Sequence, residues 1–319
     1  MQQPFMEQLT AKMRREQYHL VGAHSAVKKC RWLHQSLVHS RVCYKQKFYG
    51  IQSHRCLQMT PVAYQCQLRC LHCWRIQPED LGFNPTTDEI TIPYTDSPDL
   101  IVDGSIKAQR QILSGYKKHN LVDPKRYQEA LNPSHAAISL TGEPTLYPHL
   151  SELIEEFHSR GMTTFLVTNG VLPQALSKLS QEPTQLYVSL HAPDEETFTK
   201  ACRPKSSTAW RNVIQSLELL SSFNCPTVLR LTLTQGLNMD KAEGYAKLID
   251  KADSTYVEAK SYFYVGFSRK RLKFENMPTH REVKAFAEEL SSLTGYKIID
   301  EQTSSRVVLL SRLKKPIKL

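Results

Sequence analysis

Tyr64-Gln65-Cys66-Gln67-Leu68-Arg69-Cys70-Leu71-His72-Cys73-Trp74 sets three cysteines at the spacing C-x3-C-x2-C. Three thiolates this close, with no histidine pair at zinc spacing beside them, suit three corners of a 4Fe–4S cluster. The fourth iron is then left without a protein ligand, and an open coordination position is where a metal site does chemistry. A disulfide framework does not suit three cysteines within eight residues of a 319-residue chain whose polar, basic start has no signal-peptide pattern. A structural zinc site with Cys43 or Cys56 as fourth ligand stays open on spacing alone.

Working outward, the chain is 40% hydrophobic, enough for one large α/β domain or two modest ones. No apolar run is long enough to span a membrane, so a cytoplasmic protein is expected. The formal charge is +10, which favours a polyanionic partner. Residues 1–50 carry nine Lys or Arg against two Glu, and residues 305–319 carry five Lys or Arg and no acid. Between Glu79 and Asp103 the sign reverses, with seven carboxylates and no base. This asymmetry predicts chain ends that face the polyanion, with the acidic stretch lying elsewhere or folding as a lid.

Loose apolar spacing over residues 6–40 predicts helix, interrupted at Gly22 into two. Residues 43–51 end at a probable turn on Gly50. From Cys56 onward strand and helix signals alternate, as a parallel sheet requires. Strands are expected over 56–64, 136–140, 163–168, 185–190, 228–234 and 255–260, with helices such as 150–159 and 210–221 between them. A further amphipathic helix is expected over 278–291, and a strand or helix over 306–313 before a basic tail. The implied architecture is a partial (β/α)6 TIM-like barrel with its site at the C-terminal strand ends. The cysteine loop, Thr141-Gly142-Glu143-Pro144, Asn169 and Ser189 lie on or just beyond strand ends, and so does Arg230. Arg269, Lys270, Arg271 and Lys273 follow the last strand, placed to neutralise nucleic-acid phosphates near the barrel mouth.

A second cysteine rhythm precedes the first. Cys30, Cys43 and Cys56 form C-x12-C-x12-C, with Cys43-Tyr44-Lys45-Gln46-Lys47-Phe48-Tyr49-Gly50 inside it. Even spacing is also compatible with buried free thiols, as Cys202 and Cys225 are taken to be. Trp74 directly after the first triplet, and Thr141-Gly142-Glu143-Pro144 with threonine for the first glycine of a Gly-Gly-Glu-Pro element, resemble the radical S-adenosylmethionine (SAM) enzymes. The paired triplets make the chain resemble, over nearly its whole length, the tRNA 4-demethylwyosine synthase family in its compact archaeal form.

That resemblance implies a radical SAM barrel core over 56–270, a helical, cluster-binding N-terminal extension over 1–55 and a basic C-terminal extension over 271–319. It implies two 4Fe–4S clusters, one on Cys66, Cys70 and Cys73 and one on Cys30, Cys43 and Cys56. S-adenosylmethionine would be cleaved to a 5′-deoxyadenosyl radical and held by Thr141, Gly142 and Glu143, with Asn169, Ser189 and Arg230 as further contacts. The implied reaction is that of a carbon–carbon lyase in wybutosine biosynthesis. N1-methylguanosine next to the anticodon of tRNA-Phe would react with pyruvate, the pyruvate carboxylate carbon being lost as the tricyclic base closes. Lys45 matches a cysteine-proximal lysine proposed to form a Schiff base with pyruvate, with Lys47 and direct chelation by the second cluster as its competitors. An external electron donor and a monomeric enzyme are expected. Two rivals stay open: another two-cluster radical SAM enzyme, such as a glycyl-radical activase, and a non-catalytic iron–sulfur or zinc RNA-binding protein.

Overall fold

The computed structural model describes residues 2–82 and 94–319. Helix α1 (Gln2–Arg15) leads into a hairpin of β1 (Tyr18–Val21) and β2 (Ser25–Lys28), then α2 (Arg31–His39) and the short α3 (Tyr44–Tyr49). Six strands follow: β3 (Cys56–Thr60), β4 (His135–Ile138), β5 (Thr163–Thr168), β6 (Gln185–Leu190), β7 (Thr227–Leu233) and β8 (Tyr256–Ser261). They are joined through α4 (Pro98–Leu113), α5 (Pro124–Ala130), α6 (Leu150–Ser159), α7 (Pro173–Ser177), α8 (Glu195–Cys202), α9 (Ala209–Glu218) and α10 (Ala242–Ala252). Helix α11 (His280–Leu293), β9 (Lys297–Gln302) and β10 (Val307–Ser311) complete the chain.

The strands form one sheet in the order β1-β2-β3-β4-β5-β6-β7-β8-β10-β9. Neighbours from β3 to β8 pair in parallel and the edges pair antiparallel. Sequential order with parallel pairing is the topology of a partial (β/α)6 barrel. Strands β5 and β6 match their expected limits, and β4, β7 and β8 do so within two residues. β3 stops at Thr60 because Pro61 follows and lacks the N–H a ladder needs.

The N-terminal expectation of two helices meeting at Gly22 is corrected. A hairpin turns there, and β2 extends the sheet beside β3 with Ala26 opposite Thr60 and Val27 opposite Met59. Tyr18, Val21, Ala26 and Val27 are buried by that pairing, which outweighs a loose helical periodicity. The acidic stretch is not a lid where it is described. Asp96 is buried, and its carboxylate accepts from Ala23 N at 2.6 Å and lies 3.5 Å from His24 Nε2. Asp103 pairs with Arg160 at 2.8 Å. The middle of the stretch, 83–93, lies outside the described residues.

Side chains alternate along each barrel strand. Leu57, Leu166, Val188, Leu231 and Val257 face outward into the core shared with the helices. The opposite register points inward and mixes the aromatic and apolar side chains that meet α3 with polar ones: Cys56 and Gln58 on β3, Ser189 on β6, Arg230 on β7, Glu258 and Lys260 on β8. Most of these are only half-buried, so the barrel encloses a polar lumen. Helix α3 plugs it, packing Tyr44, Phe48 and Tyr49 against Phe165, Tyr187, Val228 and Tyr256. Phe48 and Tyr49 are fully buried, which anchors the plug by roughly 2–3 kcal/mol each.

Replacing Asp96 with alanine leaves the Ala23 amide of the hairpin turn without an acceptor and His24 without its carboxylate neighbour. We expect a loss of roughly 2–3 kcal/mol, read as a fall of about 5 °C or more in the thermal midpoint. An unchanged midpoint would remove Asp96 from the framework that holds the hairpin.

Candidate functional site

The first triplet sits in the loop leaving β3, and neighbours on both sides hold it. Thr60 Oγ1 donates to the Thr141 carbonyl at 2.6 Å, and Glu143 N donates to the Gln65 carbonyl at 2.9 Å. Gly142 has φ +65°, and a Cβ there would lie 1.7 Å from the Val62 carbonyl oxygen, so no other residue fits. On one flank Arg69 N and Leu71 N donate to the carbonyls of Cys202 and Ala201 at the end of α8, both at 2.9 Å. Arg69 and Arg203 exchange Nε–H bonds to each other's carbonyls at 3.1 and 2.8 Å. On the other flank Phe267 N donates to the Trp74 carbonyl at 2.9 Å, and a Cβ on Gly266 (φ +58°) would lie 2.3 Å from that oxygen.

All six cysteines of the two triplets are free thiols. Burial pushes the Cys66 thiol up, with Glu143, Cys70 and Cys73 adding to the effect, so the three sulfurs share one neighbourhood. Cys70 is raised first by a thiol–thiol hydrogen bond with Cys202, then by burial. Cys202 is a fully buried core thiol beside Cys70. Thiolates are disfavoured here unless a cation stands among them, which fits a three-thiolate metal site. Leu68 N reaches Cys66 Sγ at 3.5 Å, and Asn169 Nδ2 reaches it at 3.6 Å. A feature not foreseen is the pair His72 and His191, with ring centroids 4.4 Å apart and both Nδ1 atoms buried without partners. Ligand atoms of Cys70, His72 and His191 lie within 4.8 Å of one another, an arrangement that competes with the triplet for Cys70.

Glu143 is 2% exposed and already committed. Its Oε1 accepts from Thr145 N, Thr145 Oγ1 and Thr168 Oγ1, and its Oε2 from Asn169 N at 2.8 Å. It locks the loop after β4 to the end of β5, placing the backbone of 141–143 and the Asn169 side chain beside the first triplet. Ser189 lies one step below His191 on the lumen face of β6, in register with Arg230. Arg230, expected beside the cofactor, instead donates to Glu258 Oε2 at 3.0 and 2.9 Å and to Tyr44 Oη at 2.7 Å.

The second triplet gathers at the other end of the lumen. Cys30 precedes α2, Cys43 precedes α3, and Cys56 opens β3. Burial raises Cys30 and Cys56; Cys43 raises both further and Lys45 lowers both, so these groups are neighbours. Because β3 separates the triplets by on the order of 15 Å, neither Cys43 nor Cys56 joins the first triplet on one zinc ion. Lys45 enters between them, its Nζ over the rings of Phe165 at 3.9 Å and Tyr187 at 4.3 Å. Burial, then Arg230, lowers its pKa to about 8. Lys47 points away, pairing with Asp300 at 2.8 Å and bonding the Glu301 carbonyl.

The segment after β8 divides. Arg269, Lys270 and Lys273 are exposed. Arg271 is not: its guanidinium pairs with Asp80 at 2.8 and 2.9 Å and donates to the carbonyls of Leu71 and Cys73. Beside the exposed bases stands an aromatic pair, Phe274, 62% exposed, edge-on to Tyr264 at 6.0 Å. Arg269 lies over Tyr264 at 5.4 Å, and Lys12 and Lys270 approach Phe267 at 5.4 and 5.1 Å. The basic chain end is largely engaged internally. Lys318 Nζ bonds the carbonyls of Lys47 and Phe48, and Arg312 pairs with Asp250 and Asp253.

Comparison with known proteins agrees with this geometry. Residues 60–249 match the model of the radical SAM superfamily, and residues 251–312 match the model described as wyosine base formation. The chain is 52% identical over 303 residues to the S-adenosyl-L-methionine-dependent tRNA 4-demethylwyosine synthase of Pyrococcus horikoshii, covering 94% of this chain and 87% of that one. The enzyme of the same name from Methanocaldococcus jannaschii is 40% identical, with 96% of each chain covered. A solved structure of TYW1 with a lysine–pyruvate adduct bound superimposes with TM-score 0.88 at 38% identity, covering 98% of this chain and 99% of that one. No helix among the described residues is long and apolar enough to cross a membrane.

Arg271→Met strands Asp80 and frees the carbonyls of Leu71 and Cys73. Amide hydrogen exchange over residues 70–76 should quicken at least tenfold while β5 to β7 keep their protection. Unchanged exchange in that loop would show that Arg271 does not clamp it.

Proposed function

The chain belongs to the tRNA 4-demethylwyosine synthase family of the radical SAM superfamily, and we propose that it converts N1-methylguanosine beside the anticodon of tRNA-Phe to 4-demethylwyosine, with pyruvate as second substrate. One observation carries the reading: a cysteine triplet stands at each end of β3, and Lys45 enters the lumen beside the second, over Phe165 and Tyr187. Cys66, Cys70 and Cys73 would hold the cluster that, with S-adenosylmethionine bound, supplies a 5′-deoxyadenosyl radical. Cys30, Cys43 and Cys56 would hold a second 4Fe–4S cluster. In this reading residues 1–55 carry that cluster, 56–270 form the catalytic barrel and 271–319 form a C-terminal extension. The protein is a cytoplasmic carbon–carbon lyase that works as a monomer and draws on an external electron donor.

The chain's own groups have distinct tasks. Backbone carbonyls of 141–143 accept from the methionyl ammonium, and Asn169 and Ser189 offer polar contacts toward the ribose. Lys45 binds pyruvate as a Schiff base: its nitrogen attacks the ketone carbon and the carbonyl oxygen leaves as water. TYW1 has been solved with a lysine–pyruvate adduct bound, and two features favour Lys45 over Lys47 as that lysine here. Lys45 Nζ makes no hydrogen bond among the described residues and faces two aromatic walls that keep water away. Lys47 is held outside the lumen by Asp300.

Arg269, Lys270 and Lys273 form the RNA-facing rim, where phosphates are neutralised. Tyr264 and Phe274 add a stacking surface for unpaired bases of the anticodon loop. Arg271 acts from inside, as the clamp on the cysteine loop.

Two experiments test this reading. Anaerobic reaction of reconstituted protein with tRNA, pyruvate and S-adenosylmethionine should give 4-demethylwyosine by nucleoside mass spectrometry. Alanine at Cys66, Cys70 and Cys73 together should abolish 5′-deoxyadenosine and keep about half of roughly eight irons; continued cofactor cleavage by that variant would refute the assignment.

For the RNA face, neutralising Arg269 and Lys273 should lower the salt slope of tRNA binding by about 0.7 to 0.9 per lost phosphate contact. Phe274→Ala should weaken binding by roughly 1–3 kcal/mol with the slope unchanged. Full affinity and slope in both variants would place the RNA elsewhere.

A further inference from the structure

The lumen gathers more positive charge than its own residues neutralise. Lys45, Arg230 and Lys260 all reach into it, and among the described residues Glu258 is the only carboxylate paired with any of them. Glu258 is itself committed: Oε1 accepts from Tyr49 Oη at 2.9 Å and shares Tyr187 Oη, at 3.2 Å, with Gln185, and Oε2 takes two donors from Arg230. Arg230 keeps Nη1 without a hydrogen bond among the described residues. Lys260 Nζ spends one N–H on the Ser305 carbonyl at 2.9 Å and keeps two. Buried cations are stable only when matched by negative charge and hydrogen-bond acceptors.

The three cations are strung along two tyrosine rings. Lys45 Nζ and the Arg230 guanidinium lie 4.3 and 4.4 Å from the Tyr187 centroid. Arg230 and Lys260 lie 5.9 and 5.3 Å from that of Tyr44. In an α-keto acid the ketone carbon and the carboxylate carbon are bonded to each other. A molecule joined to Lys45 through its ketone therefore carries its carboxylate within about 4 Å of Nζ, toward whichever unspent donors are nearest.

We propose that Arg230 and Lys260 bind the carboxylate of the α-keto acid whose ketone carbon Lys45 takes; this rests on the assignment of Lys45 above. Arg230 is thereby moved from the nucleoside cofactor to the second substrate, and Lys260, on β8, becomes its partner. Glu258 and Tyr44 fix the orientation of the guanidinium, leaving Nη1 as the donor for the ligand. The pair selects α-keto acids over neutral ketones, because a neutral ligand leaves the cations unmatched.

The test uses anaerobically reconstituted holoenzyme and two probes, labelled pyruvate and its uncharged methyl ester, each trapped on Lys45 with cyanoborohydride and located by peptide mapping. Lys260→Met should raise the pyruvate concentration for half-maximal labelling roughly tenfold or more, with the ester unaffected. Lys260→Arg should restore most of the preference. Lys260→Met strands no acid but leaves the Ser305 carbonyl without its donor, so iron content should match wild type and the thermal midpoint should fall only modestly. Arg230→Met alone would strand Glu258, so the double variant R230M/E258Q is the second probe, with the same loss of preference expected. Labelling of Lys45 with an unchanged pyruvate-to-ester ratio in both variants overturns the carboxylate site alone. No labelling of wild type by either probe overturns the assignment of Lys45, and the carboxylate site with it.

Discussion

Glu258 is fully buried on β8, and Tyr49 of α3 and Arg230 of β7 donate to its carboxylate, with Tyr187 Oη of β6 shared between it and Gln185. A buried carboxylate is tolerated only with an opposite charge and donors for its remaining lone pairs. Arg230 supplies the charge and most of the donors, and Tyr49 completes them. Because Tyr49 belongs to the plug, and Arg230 also reaches Tyr44 there, this one carboxylate seats α3 against the barrel wall. The plug carries Lys45, and Cys43 stands at its N-terminus. The depth of the amine, its aromatic walls and the gathering of the second triplet all follow from that seating.

The first triplet is held by a different logic. Its loop has no regular structure of its own, so its backbone groups bond outward: to α8 on one flank, to residues 266–271 on the other, and to the loop after β4. Gly142 and Gly266 let neighbouring backbone come closer than any side chain allows. Arg271 and Asp80 close the arrangement with a buried pair whose remaining donors go to the loop's own carbonyls. Thiols that would otherwise stay protonated are thus held together, and a metal is the natural source of the compensating charge.

Much of this was legible in sequence. Cysteine spacing named both triplets, and β-branched and leucine runs marked β5 and β6 because parallel strands are continuously apolar on one face and short. Residues 6–40 misled because helical and strand periodicities are hard to separate over four-residue runs, and β2 forms only by pairing with β3. Charge counting misled for another reason: it cannot see partners. Arg271, Arg312 and Lys318 counted toward a polyanion-binding surface, yet each is spent on protein carboxylates or carbonyls. Glu258 and Lys260 left no signal, since a charged residue at alternate positions of a strand looks like a solvent-facing edge until the barrel curls around it.

The bond between Tyr49 and Glu258 spans 209 positions of the chain. The plug emerges early in synthesis, yet its wall is complete only when β8 has been made, so its docking is among the last long-range events of folding. The loop of residues 66–73 waits likewise, since Arg271 and Phe267, which clamp it, follow β8.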